Sequence, residues 1–257
     1  MLRSVQELKG CTIRSSDGDI GSVEQLYFDD EAWGVRYLVV DTGGWLTGHD
    51  VLISPMSIQR VDITQRAIDI PLTREQIKKS PPIDTHKPVS RQHEADYLGY
   101  YGYPAYWGGP MLWGLGAFPY PAERELAPAA ALNPDLAEAD EAQNEEDSHL
   151  RSTDEVTGYD IQATDDSIGE VDDFLFDDEA WAIRYIVIDT SSWWTGGKKV
   201  LISTRWIEGI DWPDRKVRVQ LTRDEVQRSP EYDAAQPLDR TYEGLLHEHY
   251  RRPGYWD

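Results

Sequence analysis

The fourteen residues from Asp29 to Thr42, DDEAWGVRYLVVDT, return almost unchanged from Asp177 to Thr190 as DDEAWAIRYIVIDT. A repeat of that length constrains the fold more than any local signal, because it says that one structural unit is built twice. Trp33 matches Trp181 at an offset of 148, and sixteen of the twenty-eight positions from Gly21 to Gly48 are identical to their counterparts from Gly169 to Gly196. Beyond that loop the offset becomes 149: VLIS at Val51 matches VLIS at Val200, Leu72-Thr73-Arg74 matches Leu221-Thr222-Arg223, and Ser80-Pro81 matches Ser229-Pro230. The same offset pairs Arg91 with Arg240, Glu94 with Glu243, Tyr101 with Tyr250, Pro104 with Pro253, Tyr106 with Tyr255 and Trp107 with Trp256. The tail Y-x-x-P-x-Y-W therefore belongs to the repeated unit. The chain divides into 1–107, a connector 108–150, and 151–257, each repeat long enough to bury its own core.

Within one repeat, short runs with turn signals follow one another: CTIRSS, DIGSVEQLYFD, VRYLVVD, DVLIS, SIQRVDI and RAIDIPL. Asp17-Gly18 marks a hairpin. From Trp33 to Asp41 both sides of the alternation are mostly apolar, so that strand is expected to be covered on both faces. About six strands in about seventy residues predict a small barrel or strongly bent sheet. Thr73 to Gln76 and Thr222 to Glu225 fit the capping box, which predicts a short helix that ends before Ser-Pro.

The pattern DGDIGSVEQLYFD at Asp17, WGVRYLVVDT at Trp33 and VLIS at Val51, present twice, resembles the PRC-barrel family. That resemblance implies a mainly β protein: two small PRC-type β-barrels in tandem, each followed by a short helix and an aromatic tail. The family's barrel also occurs in the cytoplasmic part of the photosynthetic reaction centre H subunit and in the C-terminal domain of the ribosome maturation factor. The H subunit's N-terminal membrane helix and the ribosome factor's preceding domain have no counterpart here, so neither activity transfers directly.

Charge narrows the partners. The formal net charge is −22 and no segment is basic, which repels nucleic acid and anionic lipid. A single cysteine, Cys11, allows no internal disulfide, and the N-terminus lacks the apolar run of a secretory signal; the expectation is a cytoplasmic protein. Residues 97–122 carry no charge, but six glycines and four prolines break the run, so it is expected to pack on a barrel or a partner rather than span a bilayer. Peripheral membrane contact stays open. The later connector, AERELAPAAALNPDLAEADEAQNEEDS, is expected to be flexible or loosely helical.

No nucleophile–base pairing, phosphate loop or dinucleotide fingerprint occurs, and the expectation is a protein that is not an enzyme and uses no cofactor. Asp29-Asp30-Glu31 and Asp177-Asp178-Glu179 read as solvated turns rather than metal sites, and His247 and His249 are two apart, without the i, i+4 spacing of a zinc site. No metal is expected. Asp41 and Asp189 read as structural polar groups at strand ends, with Arg36 and Arg184 as possible partners. The tail rings are expected to cover the apolar strand at Leu38 and Val40. Candidate interaction residues are the loop tryptophans Trp45, Trp193 and Trp194 and the tail rings Tyr106, Trp107, Tyr255 and Trp256. The leading function is a non-catalytic interaction or scaffold protein, through a protein partner or self-association. The alternative is an accessory of photosynthetic or membrane electron transport like the H subunit, with ribosome maturation or an RNA-associated role ranked third and an enzyme last.

Overall fold

The computed structural model describes residues 1–44, 46, 50–81, 89–120, 149–193, 196–236 and 238–257. The acidic stretch expected to be flexible, 122–148, lies outside the described residues. The chain forms two compact units, one of residues 7–152 with 179–182 (unit A), the other of residues 1–6, 153–178 and 183–257 (unit B).

Unit A is a bent sheet of β2 (Thr12–Ser15), β3 (Gly18–Asp29), β4 (Val35–Asp41), β5 (Asp50–Ile53), β6 (Arg60–Asp62) and β7 (Ala67–Asp69), in the order β5-β4-β3-β2-β7-β6. All pairs are antiparallel except β2 with β7. A seventh strand, β8 (Leu150–Ser152), pairs antiparallel with the end of β3. Unit B repeats the plan with β9 (Asp160–Gln162), β10 (Ser167–Asp177), β11 (Ala182–Asp189), β12 (Lys199–Ser203), β13 (Ile207–Asp211) and β14 (Lys216–Val219), ordered β12-β11-β10-β9-β14-β13. Its seventh strand is β1 (Leu2–Ser4), antiparallel to β10. Each unit thus receives one strand from the opposite repeat.

The mainly β architecture and the short helices agree with the sequence. Helix α2 (Arg74–Lys78) has the full capping box: Thr73 accepts from the Gln76 amide and Gln76 accepts from the Thr73 amide. Thr222 and Glu225 do the same for α5 (Arg223–Gln227). Two four-residue helices, α1 (Val5–Leu8) and α4 (Thr153–Val156), follow β1 and β8. Cores are aliphatic and aromatic, with Leu8, Ile13, Leu26, Phe28, Leu38 and Ile53 fully buried in unit A and Phe174, Phe176, Tyr185 and Leu201 in unit B.

The central strand begins later than its alternation predicts. β4 starts at Val35, and Trp33 sits in the left-handed region at φ 58°, as Trp181 does at φ 54°. Such a backbone costs a non-glycine residue about 1–3 kcal/mol. Burial of the indole, worth a similar amount, offsets it: Trp33 stacks on Phe28 with ring centroids 5.2 Å apart.

Candidate functional site

Beyond each sheet a longer helix carries a glutamate inward. In unit A, α3 (Arg91–Tyr101) starts at Ser90, whose hydroxyl accepts from the His93 amide, and ends at Gly102 in the left-handed conformation at φ 69°. Arg91, Glu94, Leu98 and Tyr101 recur at helical spacing, which turns Glu94 into the interior. Glu94 is 0% exposed. A buried carboxylate persists only when charged or hydrogen-bonding partners replace its water. Here Tyr106 donates its hydroxyl to Oε1 at 2.5 Å, His149 Nε2 lies 2.7 Å from Oε2, and Arg91 stands 3.4 Å away. The Tyr106 hydroxyl and His149 Nε2 are also 3.0 Å apart.

A second buried charge lies beside it. Arg36 grips Asp29 through Nε at 2.6 Å and Nη2 at 2.5 Å, donates Nη1 to the Leu112 carbonyl at 2.7 Å, and lies 3.8 Å over the Tyr106 ring. Its strand-end neighbour Asp41 is occupied locally, accepting from the Gly43 amide. Burial, and next the Glu94 charge, push the Tyr37 and Tyr106 hydroxyls well above their ordinary pKa.

Unit B builds the same centre by a different route. Helix α6 (Arg240–His249), capped by Asp239, buries Glu243. Tyr185 donates to Glu243 Oε1 at 3.1 Å and approaches His247 Nε2 at 2.9 Å, and Arg240 pairs with Oε2 at 3.1 Å. Tyr185 is the counterpart of Tyr37, not of Tyr106. The histidine comes from the helix, at the position of Leu98, whereas in unit A it comes from the residue before β8. Burial lowers the His247 pKa, and burial with the Glu243 charge raises the Tyr255 hydroxyl to about 12.

Of the tail rings Tyr106 meets the sheet at Arg36, while Tyr97 of α3 packs edge-on against Tyr37 with ring centroids 5.2 Å apart. Tyr106 and Trp107 contact each other at 5.0 Å, as do Tyr255 and Trp256. Tyr106 is buried, Trp107 and Tyr255 are half-buried, and Trp256 is 38% exposed. Trp193 is half-buried, its amide donating to the Thr190 carbonyl, while Trp45 and Trp194 lie outside the described residues. Among the described residues no group of three or more His, Cys, Asp or Glu is arranged to hold a metal ion. Asp29 and Asp177 pair instead with Arg36 and Arg184, and Asp30 and Asp178 with Arg151 and Arg3.

Glu94 and Glu243 align in the repeat, but no sequence signal gives them a role, and His149 falls in the connector. Residues 108–120 also proved ordered by contacts: Trp113 is buried and donates Nε1 to the Ala180 carbonyl at 2.8 Å.

A family model described as PRC-barrel domain matches residues 2–77 and again residues 151–226. A search of curated proteins returns no match.

Proposed function

Since the chain belongs to the PRC-barrel domain family and carries that domain twice, we propose that it works by binding another protein, without catalysis. The observation that carries this reading is the loop after the first tail. Met111, Leu115, Phe118 and Tyr120 are exposed, Leu115 to 90%, on either side of the buried anchor Trp113. Neighbouring bonds fix the backbone: Met111 donates to the Gly114 carbonyl at 3.0 Å, Trp113 to Gly116 at 2.9 Å, and Arg36 holds the Leu112 carbonyl. Apolar side chains displayed on a fixed backbone lose little entropy on binding, which is how an interface anchor gains affinity. The buried carboxylates, by contrast, spend their hydrogen bonds on residues of their own unit, consistent with a structural role. With a chain charge of −22 the complementary surface is an apolar pocket rimmed by basic side chains.

The test is a photo-crosslinking residue at position 118 in cells, followed by reconstitution of the identified adduct with purified proteins. Leu115→Glu should leave the melting temperature unchanged and weaken the reconstituted complex by roughly 30-fold, the loss of one anchor worth about 2 kcal/mol. Unchanged affinity in that variant contradicts the proposal.

A further inference from the structure

The strands that complete the two units are the same tripeptide. β1 is Leu2-Arg3-Ser4 and β8 is Leu150-Arg151-Ser152. Their receiving strands are close variants, Tyr27-Phe28-Asp29-Asp30 for β8 and Leu175-Phe176-Asp177-Asp178 for β1, and the registers are equivalent: Leu2 faces Asp177 and Leu150 faces Asp29. The side-chain contacts repeat as well. Each arginine Nε binds the second aspartate of the facing pair, Arg3 to Asp178 at 2.6 Å and Arg151 to Asp30 at 3.0 Å. Each serine hydroxyl bonds a polar side chain further along the receiver, Ser4 to Asp173 and Ser152 to Gln25.

Each donor also runs straight into the other unit. Residues 1–6 belong to unit B and residue 7 to unit A; residue 152 belongs to unit A and residue 153 to unit B. We propose that the receiving edges at β3 and β10 are self-association sites whose partner is a second copy of this chain, with the crossed strand pairing made between chains instead of within one. The exchanged dimer remakes these strand pairings between chains, and with them the bonds of the 179–182 turn to the rest of unit A, Val35 to the Trp181 carbonyl and Trp113 to the Ala180 carbonyl. The balance between the two forms is therefore set by chain entropy, and a tethered donor competes at an effective concentration of about 1 mM. Chains folding far below that concentration close on themselves, and chains folding near it exchange. This self-association is independent of the loop at residues 111–120.

Two full-length variants test it, each with Cys11→Ala to leave one thiol: Leu2→Cys and Asp177→Cys. The double variant, Leu2→Cys with Asp177→Cys, serves as the register control and should form an intrachain disulfide, since directly opposed residues of an antiparallel pair lie within disulfide reach. An equimolar mixture of the single variants is unfolded together, refolded over a range of concentrations and oxidised. The expected result is a covalent dimer of twice the 29.4 kDa chain whose yield rises about tenfold for each tenfold in concentration at low concentration and reaches about a quarter near 1 mM, where about half the chains exchange and half of those dimers are mixed. Leu2→Cys mixed with Asp214→Cys should yield no such rise. A yield no greater than in that control overturns the proposal, and so does failure of the double variant to close.

Discussion

Tyr37 and Tyr185 occupy the same place in the two repeats, yet their hydroxyls have different fates, and replacing each with phenylalanine separates hydrogen bonding from packing. Tyr185 bonds both Glu243 and His247. Tyr37 is buried beside Glu94, where burial and then that charge raise its pKa, but among the described residues no group meets its hydroxyl with hydrogen-bond geometry, and in unit A the bond to Glu94 is made by Tyr106. A hydrogen bond to a charged group contributes about 1.5–3 kcal/mol, whereas removing a buried hydroxyl that bonds nothing is neutral or stabilising. Tyr185→Phe should therefore lower the stability of unit B by about 1.5–3 kcal/mol, or roughly 6–12 °C at about 4 °C per kcal/mol for a unit of this size. Tyr37→Phe should leave unit A unchanged or raise its melting temperature. Tyr106→Phe should cost unit A what Tyr185→Phe costs unit B. Differential scanning calorimetry on the three full-length variants reads all of these. Equal losses for Tyr37→Phe and Tyr185→Phe would refute the reasoning, since packing alone would then account for both.

Because burial depresses His247, the unfolded chain binds the proton more readily than the folded one, so the stability His247 confers is complete above its ordinary pKa of 6.5 and is lost as pH falls through the folded value. His247→Leu, which copies Leu98, should flatten the slope of urea-unfolding stability against pH below about 6.5; an unchanged slope counts against that assignment. At Gly21 an added Cβ would stand 2.0 Å from the Asp41 carbonyl oxygen, and at Gly169, where φ is +153°, 2.4 Å from that of Asp189. Gly21→Ala should cost unit A about 2–4 kcal/mol, an overpacking loss at the upper end because backbone cannot yield, measured as a fall in the urea midpoint.

What the sequence revealed and what it hid follow from the range of the interactions. Capping boxes at Thr73 and Thr222 and the hairpin at Asp17-Gly18 act over three or four residues, so their spelling is enough. The repeat extended that legibility to the tails, marking Tyr106 with Tyr255 as one position. It did not reveal that the hydroxyl bonding the buried glutamate comes from Tyr106 in one unit and Tyr185 in the other, a choice made by packing between elements distant in sequence. His149 gave no signal at all, standing outside the repeat and next to an acidic stretch; only its place before β8 brings it to Glu94. Nor does a tripeptide written twice say which of two near-identical edges it will join. Trp33 reads as part of the strand because its ring continues the alternation, whereas its backbone turns into the left-handed region and its ring stacks on Phe28.

The claim on which the rest stands is that each barrel is finished by a helix and aromatic tail lying beyond the family-matched residues. Leu246 is 0% exposed, His247 4% and Tyr250 5%, and Trp206 packs its ring against the last two. Two large apolar side chains at about 1.5–3 kcal/mol each, with the Tyr185–Glu243 bond, amount to most of the roughly 5–15 kcal/mol by which a domain is stable. Amide hydrogen exchange along β11 in a chain ending at Pro230 measures this directly. Loss of protection from Tyr185 to Ile188 is the expected result, and protection equal to that of the full chain would contradict the account.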